Sequence, residues 1–366
     1  MTTPAVSALI DTYNHEACIE QAIVSVLQQD IPAGDMEIIV VDDGSTDHTP
    51  DIVRKFESRV RLIRKNNGGQ ASAFNLGIAE ATGDIVAFLD GDDWWAHGKV
   101  KAVLQAFDKN PALAAVGHGY FEVPGDSPPT EMFVSTRPLR LDLSSPEAAR
   151  IANLGRMLLG TSRLAVRRSI LERITPIPAR LVYAADTPIF TLALALGGAL
   201  ILDQPLCYYR LHAPDAPDSG GSLRDSHHKF VRIRDHELNT FLVASLSKQL
   251  VSLGVNQEIV SAFFEADRLA LERFQLQRDG GGRLQAFRTE TRALRSEYRS
   301  TTIGYKLFKG LIGSLALLLP PQRFYNLRDW YSHRTGIHRL RNVFGHAEPI
   351  VPQSLFQRRR LTPEEK

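Results

Sequence analysis

The chain is poor in cysteine: Cys18 and Cys207 are the only two in 366 residues. Two thiols exclude a disulfide framework and a cysteine-based metal cluster, and they are typical of a protein in a reducing compartment. The first ten residues, MTTPAVSALI, lack the basic segment and the long apolar segment of a secretory signal. We therefore expect a cytoplasmic protein.

Strong net charge and long apolar runs are lacking as well. The formal net charge is +2, but residues 303–366 hold 11 Lys and Arg against 4 Asp and Glu, whereas the rest holds 32 against 37. The uncharged run at residues 310–319 is far short of the ~20 residues that span a membrane. A basic segment on a mildly acidic body favours contact with an anionic surface. We do not expect nucleic acid, because no recognition motif accompanies the charge.

The first third of the sequence alternates strand and helix patterns. Apolar runs of strand length occupy residues 6–10, 37–41, 60–63, 85–89 and 113–116, with apolar residues at helical spacing between them. Strands that are apolar throughout are buried on both faces. The pattern therefore predicts an α/β fold with a mostly parallel sheet flanked by helices.

Acidic residues follow three of these runs. They are Asp11 after the first run, Asp42 and Asp43 after the second, and Asp90, Asp92 and Asp93 after the fourth. The carboxyl ends of parallel strands share one edge of the sheet, where ligands bind. Carboxylates gathered there raise one another's pKa, and no Lys or Arg accompanies them in these segments. A divalent cation bound to a diphosphate would relieve this repulsion. Ordinary turn chemistry explains any single cluster, but explains three at one edge less well.

Four sequence blocks carry a resemblance to a known family. In order, they are SALIDTYNHE, EIIVVDDGSTD, NNGGQASAFNLGIAEATGD and IVAFLDGDDWW. Together they resemble the inverting glycosyltransferases of family 2, which have the GT-A fold. The match is strong over residues 5–110 and weaker to residue 212. It implies a catalytic domain at residues 1–215, a nucleotide-diphosphate sugar donor of the UDP-sugar type, a Mn²⁺ or Mg²⁺ cofactor, and a glycan or lipid-linked acceptor in cell-envelope or surface polysaccharide synthesis.

The resemblance also implies roles for individual residues. Those implied to bind the nucleotide sugar are Asp11, Thr12, Tyr13, Asp43, Asn67, Gly69, Asp90 and Gly91. Asp90-Gly91-Asp92 matches the DXD motif, in which Asp92 would bind the metal. Two departures stand out: Asp11 occupies a position where many relatives have Pro, Thr or Ser, and Phe74 one where Arg is frequent.

Three further residues complete the implied site. Asp186 matches the general base that opens a helix in the family, although Ala185 precedes it where relatives have Glu. Asp186 is alternatively only a cap for the helix that Pro188 begins. Arg210 and His212 match a Tyr-Arg-x-His ending, which implies that Arg210 contacts the diphosphate and His212 the metal. A surface role for His212 remains open.

The C-terminal part has no such resemblance. We expect a linker at residues 213–222, a helical region at residues 216–302, and an amphipathic helix with a basic, aromatic-rich tail at residues 303–366. Apolar residues Phe308, Leu311 and Leu315 recur at helical spacing beside Lys306 and Lys309. Two interpretations stay open: peripheral contact with the inner face of a membrane, or packing on the catalytic domain or a partner subunit.

Two rival functions also stay open. A phospho-acceptor signalling domain gathers acids around Mg²⁺, but it would need its acidic pair after the first strand, whereas here the pair follows the second. A catalytically inactive relative that binds nucleotide sugars or serves as a scaffold is compatible with the missing Glu before Asp186.

Overall fold

The computed structural model of this protein describes residues 4–32, 34–212, 229–296, 303–332 and 355–362. The expected linker at residues 213–222 lies outside these ranges, as do the tail residues Arg334, Arg339 and Arg341.

The described strands form one mixed sheet. They are β1 (Val6–Thr12), β2 (Met36–Asp42), β3 (Arg61–Arg64), β4 (Ile85–Asp90), β5 (Trp94–Trp95), β6 (Ala115–Pro124), β7 (Glu131–Ser135), β8 (Leu139–Leu141), β9 (Ala165–Arg167), β10 (Ala199–Leu211) and β11 (Phe356–Arg360). The main path runs β11-β7-β6-β9-β4-β1-β2-β3, and β10 pairs with β5, β6 and β8.

The described helices flank the sheet and continue beyond it. They are α1 (Ile19–Leu27), α2 (Thr49–Arg54), α3 (Gln70–Glu80), α4 (Lys99–Lys109), α5 (Pro146–Gly155), α6 (Arg168–Ile174), α7 (Asp186–Leu196), α8 (Lys229–Ser252), α9 (Gln257–Phe263), α10 (Glu265–Asp279), α11 (Arg283–Ser296), α12 (Ile303–Ser314) and α13 (Pro321–Ser332).

Four strands run parallel, as the apolar runs predict. β1 pairs in parallel with β2 on one side and with β4 on the other, and β2 pairs in parallel with β3. The register places Asp11 directly opposite Asp90 and Thr12 opposite Asp42. The acids that end these strands therefore share the carboxyl edge of the sheet, as expected.

Beyond β4 the sheet becomes mixed. β9 is antiparallel to both β4 and β6, and a 3-10 turn at Thr161–Arg163 precedes it. The sequence pattern of residues 162–167 predicts a strand, which is wrong for the first half of this segment and confirmed for Ala165–Arg167. β10 is one strand of 13 residues, and its pairing with β6 shifts register on both sides of Pro205, which has no amide hydrogen to donate.

Two hydrophobic cores cover the two faces of the sheet. Side chains on strands β1 and β2 alternate between them: Leu9 and Ile39 face one core, whereas Ile10 and Val40 face the other. Helices α1 and α4 cover the second face, and α3, α5 and α7 cover the first. This two-sided burial explains why the strands are apolar throughout.

Helices α8 and α9 belong to the first core. Leu246 and Leu250 of α8 are fully or almost fully buried, as are Val260 and Phe263 of α9, and all four belong to the same cluster as Leu9. The last helices instead form a small separate core around Leu276, Ala286, Ala316, Phe324 and Tyr325. The helical region is therefore packed against the sheet domain through α8 and α9.

The C-terminal segment contains an edge strand of the sheet. Residues Phe356–Arg360 form the edge strand β11, and Arg358 pairs with Glu122 at 2.5 Å and with Glu131 at 2.6 Å. Residues 358–360 of the expected basic tail therefore belong to an edge strand that pairs with β7. Among the described residues, no helix is long and apolar enough to cross a membrane.

Substitution of a buried leucine in α8 tests the shared core. We expect Leu250→Ala to lower the free energy of unfolding by about 2–5 kcal/mol, because it leaves a cavity among packed side chains. Denaturant unfolding monitored by tryptophan fluorescence, which reports mainly on the sheet domain, measures the change. The matched control is Leu253→Ala, since Leu253 is 42% exposed and should change stability by less than about 0.5 kcal/mol. An unchanged fluorescence transition for Leu250→Ala would contradict the shared core.

Candidate active site

The first part of the site is the loop that follows β1. Asp11 and Thr12 are the last two residues of β1, and Tyr13 follows the strand. The loop is tied to the segment after β2: the Asn14 amide donates to Ser45 Oγ at 2.9 Å, and the His15 amide donates to Thr49 Oγ1 at 2.8 Å. Tyr13 is therefore held at the carboxyl edge of the sheet.

The acids after β2 have different roles in the structure. Asp42 is buried, accepts from the Ser45 amide at 2.9 Å and pairs with Arg64 at 2.7 Å, so it stabilises the turn. The Asp43 carboxylate accepts from the Gly68 amide at 3.0 Å and from the Gly69 amide at 2.7 Å, and it pairs with Lys65. The expectation that no cation accompanies the acids is therefore wrong for Asp42 and Asp43, because Arg64, the last residue of β3, and Lys65, which follows it, pair with them.

The Asn67–Gly69 loop requires glycine at one position. Gly69 has φ +80°, and a Cβ built on it would stand 2.5 Å from Val182 Cα. A side chain there would strain the backbone and clash with the segment that precedes α7. Asn67 is exposed beside this loop. The sequence NNGG thus brings the residues before α3 against residues 181–182.

The DXD segment crowds its carboxylates together. The Gly91 amide donates to Asp11 O at 2.9 Å, which brings Asp92 close to the end of β1. Burial, and then the charge of Asp92, raises the pKa of Asp11 to about 8. Burial and the neighbouring Asp11 likewise raise the pKa of Asp90, and burial with Asp92 raises that of Asp93 to about 7.

Asp92 differs from its neighbours because it has a partner. His212 Nε2 lies 2.6 Å from Asp92 Oδ2. Although burial opposes ionisation of Asp92, this hydrogen bond lowers the pKa of Asp92, and it raises the pKa of His212. Asp92 and His212, predicted from separate motifs as metal ligands, therefore meet in the fold.

Arg210 forms hydrogen bonds with other residues of the chain. Its amide donates to Asp93 at 2.9 Å and its Nε to the Asp92 carbonyl at 3.1 Å, while its two terminal nitrogens bind Gln21, the Gly125 carbonyl and Asp126. These bonds hold the Asp92–Asp93 turn in place. The contact between Arg210 and a diphosphate stays a prediction, and the geometry favours a positioning role.

Asp186 is the first residue of α7 and lies close to the DXD segment. Its Oδ2 accepts from the Thr161 amide at 3.1 Å. Burial raises its pKa, against the opposing charge of Arg163. Asp186 also contributes to the raised pKa of Asp90. A buried carboxylate of raised pKa is suited to accept a proton.

Gln70 links the Asp90 carboxylate to the backbone that precedes Asp186. Its Nε2 donates to Asp90 Oδ1 at 3.0 Å, and its Oε1 accepts from the Ala185 amide at 3.0 Å. One side chain thus fixes the start of α7 relative to the DXD segment. The structure brings together the ends of β1, β2 and β4, the Asn67–Gly69 loop, Asp186 and His212.

The family described as glycosyl transferase family 2 matches residues 7–175. An uncharacterized glycosyltransferase of Nostoc sp. is 32% identical over 249 residues, which cover 65% of this chain and 76% of that protein. The chain belongs to glycosyltransferase family 2.

More distant relatives match shorter stretches of this glycosyltransferase. The poly(ribitol-phosphate) beta-N-acetylglucosaminyltransferase TarS of Staphylococcus aureus is 33% identical over 138 residues, which cover 36% of this chain and 24% of TarS. The match thus spans about a quarter of TarS. Family membership also sets aside the phospho-acceptor signalling hypothesis.

Solved structures show the same fold at low sequence identity. A structure of TarS residues 1–349 has a TM-score of 0.57 at 17% identity, over 89% of this chain and 91% of that one. A mannosyltransferase of Pyrobaculum calidifontis, solved with GDP-Man and Mn²⁺, has a TM-score of 0.50 at 18% identity, over 91% and 89%. The predicted GT-A fold is confirmed.

Sequence patterns missed several residues of the glycosyltransferase site. Gln70 directly follows the NNGG sequence, which predicts no role for it, and Ser162 lies in the segment that the sequence predicts to be a strand. Ser162 Oγ accepts from the Asp90 amide at 3.1 Å. Lys99 is fully buried, donates to the Ser162 carbonyl at 2.8 Å and lies 3.9 Å from the Trp95 ring centre, and burial lowers its pKa to about 7. The only sequence signal for the burial of Lys99 is its position at the start of α4, next to the apolar residues Val100 and Val103.

The carboxylate cluster predicts a pH-dependent stability difference. Because the pKa of Asp11 is raised from 3.8 to about 8 in the folded glycosyltransferase, its contribution to the free energy of unfolding falls as pH rises from about 4 to about 8. We expect Asp11→Asn to melt at a higher temperature than wild type at pH 8 and at the same temperature near pH 4, by calorimetry without metal. Asp108→Asn, on the exposed face of α4, is the control. A difference that persists unchanged at pH 4 would contradict this account.

Proposed function

We propose that this glycosyltransferase moves a sugar from a UDP-sugar to an acceptor hydroxyl, with inversion and with the help of a divalent metal. The observation that carries the proposal is the Gln70 carboxamide, which hydrogen-bonds both Asp90 of the DXD motif and the peptide before Asp186. This bridge holds Asp90, the proposed donor-binding carboxylate, close to Asp186, the proposed general base. An in-line displacement requires the two to be close together.

The nucleotide half of the proposed site is built around Asp43. The Asn67–Gly69 loop is fastened to Asp43 through two backbone amides, and Tyr13 lies on the neighbouring loop. A uridine donor is supported by the TarS structures solved with UDP and with UDP-GlcNAc. We assign the contacts with the uracil ring and the ribose of the donor to Tyr13, Asp43 and the Asn67–Gly69 loop.

Asp92 and His212 fit the metal that the family implies. No group of three or more metal-binding side chains occurs together in the described part of the chain, but Asp92 and His212 are in contact. Mg²⁺ and Mn²⁺ are commonly held by one or two protein groups together with substrate phosphates. When bound, such an ion neutralises the negative charge of a leaving diphosphate. The mannosyltransferase structure with Mn²⁺ supports this choice.

We assign the general base to Asp186. The Thr161 amide orients its Oδ2, and burial raises its pKa, so that it holds a proton more firmly than an exposed carboxylate. Asp186 would take the proton from the acceptor hydroxyl as that oxygen attacks the anomeric carbon opposite the leaving diphosphate. Attack from that face inverts the configuration.

An envelope or surface polysaccharide is the acceptor class we propose. TarS, by its name, acts on poly(ribitol-phosphate), and it is 33% identical to this chain over 138 residues. The remaining alternative is a catalytically inactive glycosyltransferase that binds nucleotide sugars, since Ala185 stands before Asp186 where relatives have Glu.

Two isosteric substitutions test the assigned roles. We expect Asp186→Asn to reduce sugar transfer or donor hydrolysis by roughly 10²–10⁴-fold with little change in UDP affinity, because it removes only the proton acceptor. We expect Asp92→Asn to weaken Mn²⁺-dependent UDP binding as well. Calorimetric titration of UDP with Mn²⁺ and an assay of released UDP measure the two effects. Asp203→Asn, at an exposed position on β10, is the control.

The outcomes separate the alternatives. Nucleotide-sugar binding by wild type without any turnover would favour the inactive relative. Full activity in Asp186→Asn would remove Asp186 from the role of base.

We also propose that α12 contacts the inner face of an anionic membrane. Ile303, Leu307 and Leu311 repeat every four residues along α12 and are 76%, 70% and 71% exposed. Leu318, after the turn, is 70% exposed. Lys306 and Lys309 lie on the same helix. An exposed apolar row on a helix with basic residues is typical of attachment at a membrane interface.

Acidic substitutions on this row test membrane contact. We expect the full chain to float with vesicles of phosphatidylglycerol and phosphatidylcholine at low salt, and the variant Leu307→Glu with Leu311→Glu to lose most of this binding. The control is Leu253→Glu, an exposed leucine at the end of α8. Equal flotation of the double variant and wild type would exclude α12 as the membrane contact.

A further inference from the structure

Arg163 is held in an unusual position by two tyrosines and a glycine. Its guanidinium carbon lies 4.6 Å from the Tyr120 ring centre and 5.3 Å from that of Tyr209. The two rings meet edge to face, with centres 5.9 Å apart. A Cβ built on Gly160 would stand 2.1 Å from Arg163 Nη2, so the guanidinium fills the space that a side chain at residue 160 would need.

The residues next to Arg163 belong to the candidate active site. Arg163 ends the turn Thr161–Arg163, in which the Thr161 amide binds Asp186 and Ser162 Oγ accepts from the Asp90 amide. The positive charge of Arg163 also acts on the carboxyls of both Asp93 and Asp186. The guanidinium therefore lies beside the space between the DXD segment and the proposed base.

Arg163 has an unused hydrogen-bond donor. Its Nε is buried and has no hydrogen-bond partner in the structure. A buried donor without an acceptor is destabilising, and most such groups in proteins are paired. The contrast with Arg210, whose Nε donates to the Asp92 carbonyl, shows that a buried arginine in this fold can be satisfied by protein groups.

We propose that Arg163 donates a hydrogen bond to an oxygen of the transferred sugar and so helps to select the donor; this inference rests on the proposed function. In an in-line displacement the acceptor hydroxyl lies between the general base and the sugar, so the sugar is close to the base. The turn that carries Arg163 contacts Asp186 through the Thr161 amide. The diphosphate belongs instead with Asp92 and His212. A hydroxyl or carbonyl oxygen of the sugar would accept a hydrogen bond from the unused Arg163 Nε.

The test compares nucleotide sugars with the bare nucleotides. Wild type and Arg163→Met are titrated in the presence of Mn²⁺ with UDP, UDP-GlcNAc, UDP-glucose, GDP and GDP-mannose. For the sugar that wild type prefers, we expect the ratio of the Kd of the nucleotide sugar to the Kd of the nucleotide to rise about 10- to 100-fold in Arg163→Met. The Kd of the bare nucleotide should change little.

A second variant moves the guanidinium without removing it. Gly160 has φ −67°, which alanine adopts without strain, but the new Cβ would displace Arg163 Nη2. We expect Gly160→Ala to raise the same ratio. It also keeps the inference testable if Arg163→Met fails to fold.

Arg167→Met is the matched control. Arg167 also lies over an aromatic ring, 4.8 Å from the centre of Phe107, but its Nε donates to the Leu113 carbonyl at 2.9 Å, away from the site. We expect it to lower thermal stability without changing the ratio. A purely structural role for Arg163 predicts the same result in Arg163→Met.

The outcomes distinguish this inference from the proposed function. An unchanged ratio in both Arg163→Met and Gly160→Ala overturns the sugar contact, while transfer by wild type leaves the proposed function intact. If wild type binds neither nucleotides nor nucleotide sugars, the proposed function fails and the inference fails with it.

Discussion

Carboxylate repulsion at the carboxyl edge of β1 and β4 is the constraint on which this site depends. The parallel register sets Asp11 opposite Asp90, and the Gly91 amide bound to Asp11 O brings Asp92 to the same place. Burial and mutual charge raise the pKa of Asp11, Asp90 and Asp93. A folded chain keeps such an arrangement only because the surrounding sheet is stable enough to hold it, and a bound cation would reduce its unfavourable energy.

Neutral hydrogen-bonding groups hold this acidic cluster in shape. Gln70 and Ser162 bind Asp90, the Arg210 amide binds Asp93, and the Thr161 amide binds Asp186. These groups come from three separate parts of the chain: the start of α3, the turn Thr161–Arg163 and the end of β10. The geometry between the DXD segment and the start of α7 therefore depends on packing of the whole sheet domain, and small shifts in α3 or β10 would change it.

The helical region contributes to this rigidity. Helices α8 and α9 complete the core on one face of the sheet, the face that also carries α3 and α7. Strand β11 brings the C-terminal segment back to β7, where Arg358 pairs with two glutamates. By contrast, the exposed leucines of α12 are not used by either core, which leaves that helix available for a surface contact.

Local sequence determined the parallel half of the fold and the acids at its edge. Buried strands need continuous apolar runs, and a carboxylate directly after such a run must lie at the strand end, so Asp11, Asp43, Asp90 and Asp92 were predictable without coordinates. Only the tertiary structure decided which groups meet them. Lys65, Gln70, Ser162 and Arg163 carry no periodic pattern, because a hydrogen bond or ion pair across a fold depends on long-range packing rather than on neighbours in sequence. The edge strand β11 was likewise not predictable, because nothing in the local sequence distinguishes its arginines from a solvated basic tail. Only the fold shows that Arg358 pairs with Glu122 on β6 and Glu131 on β7.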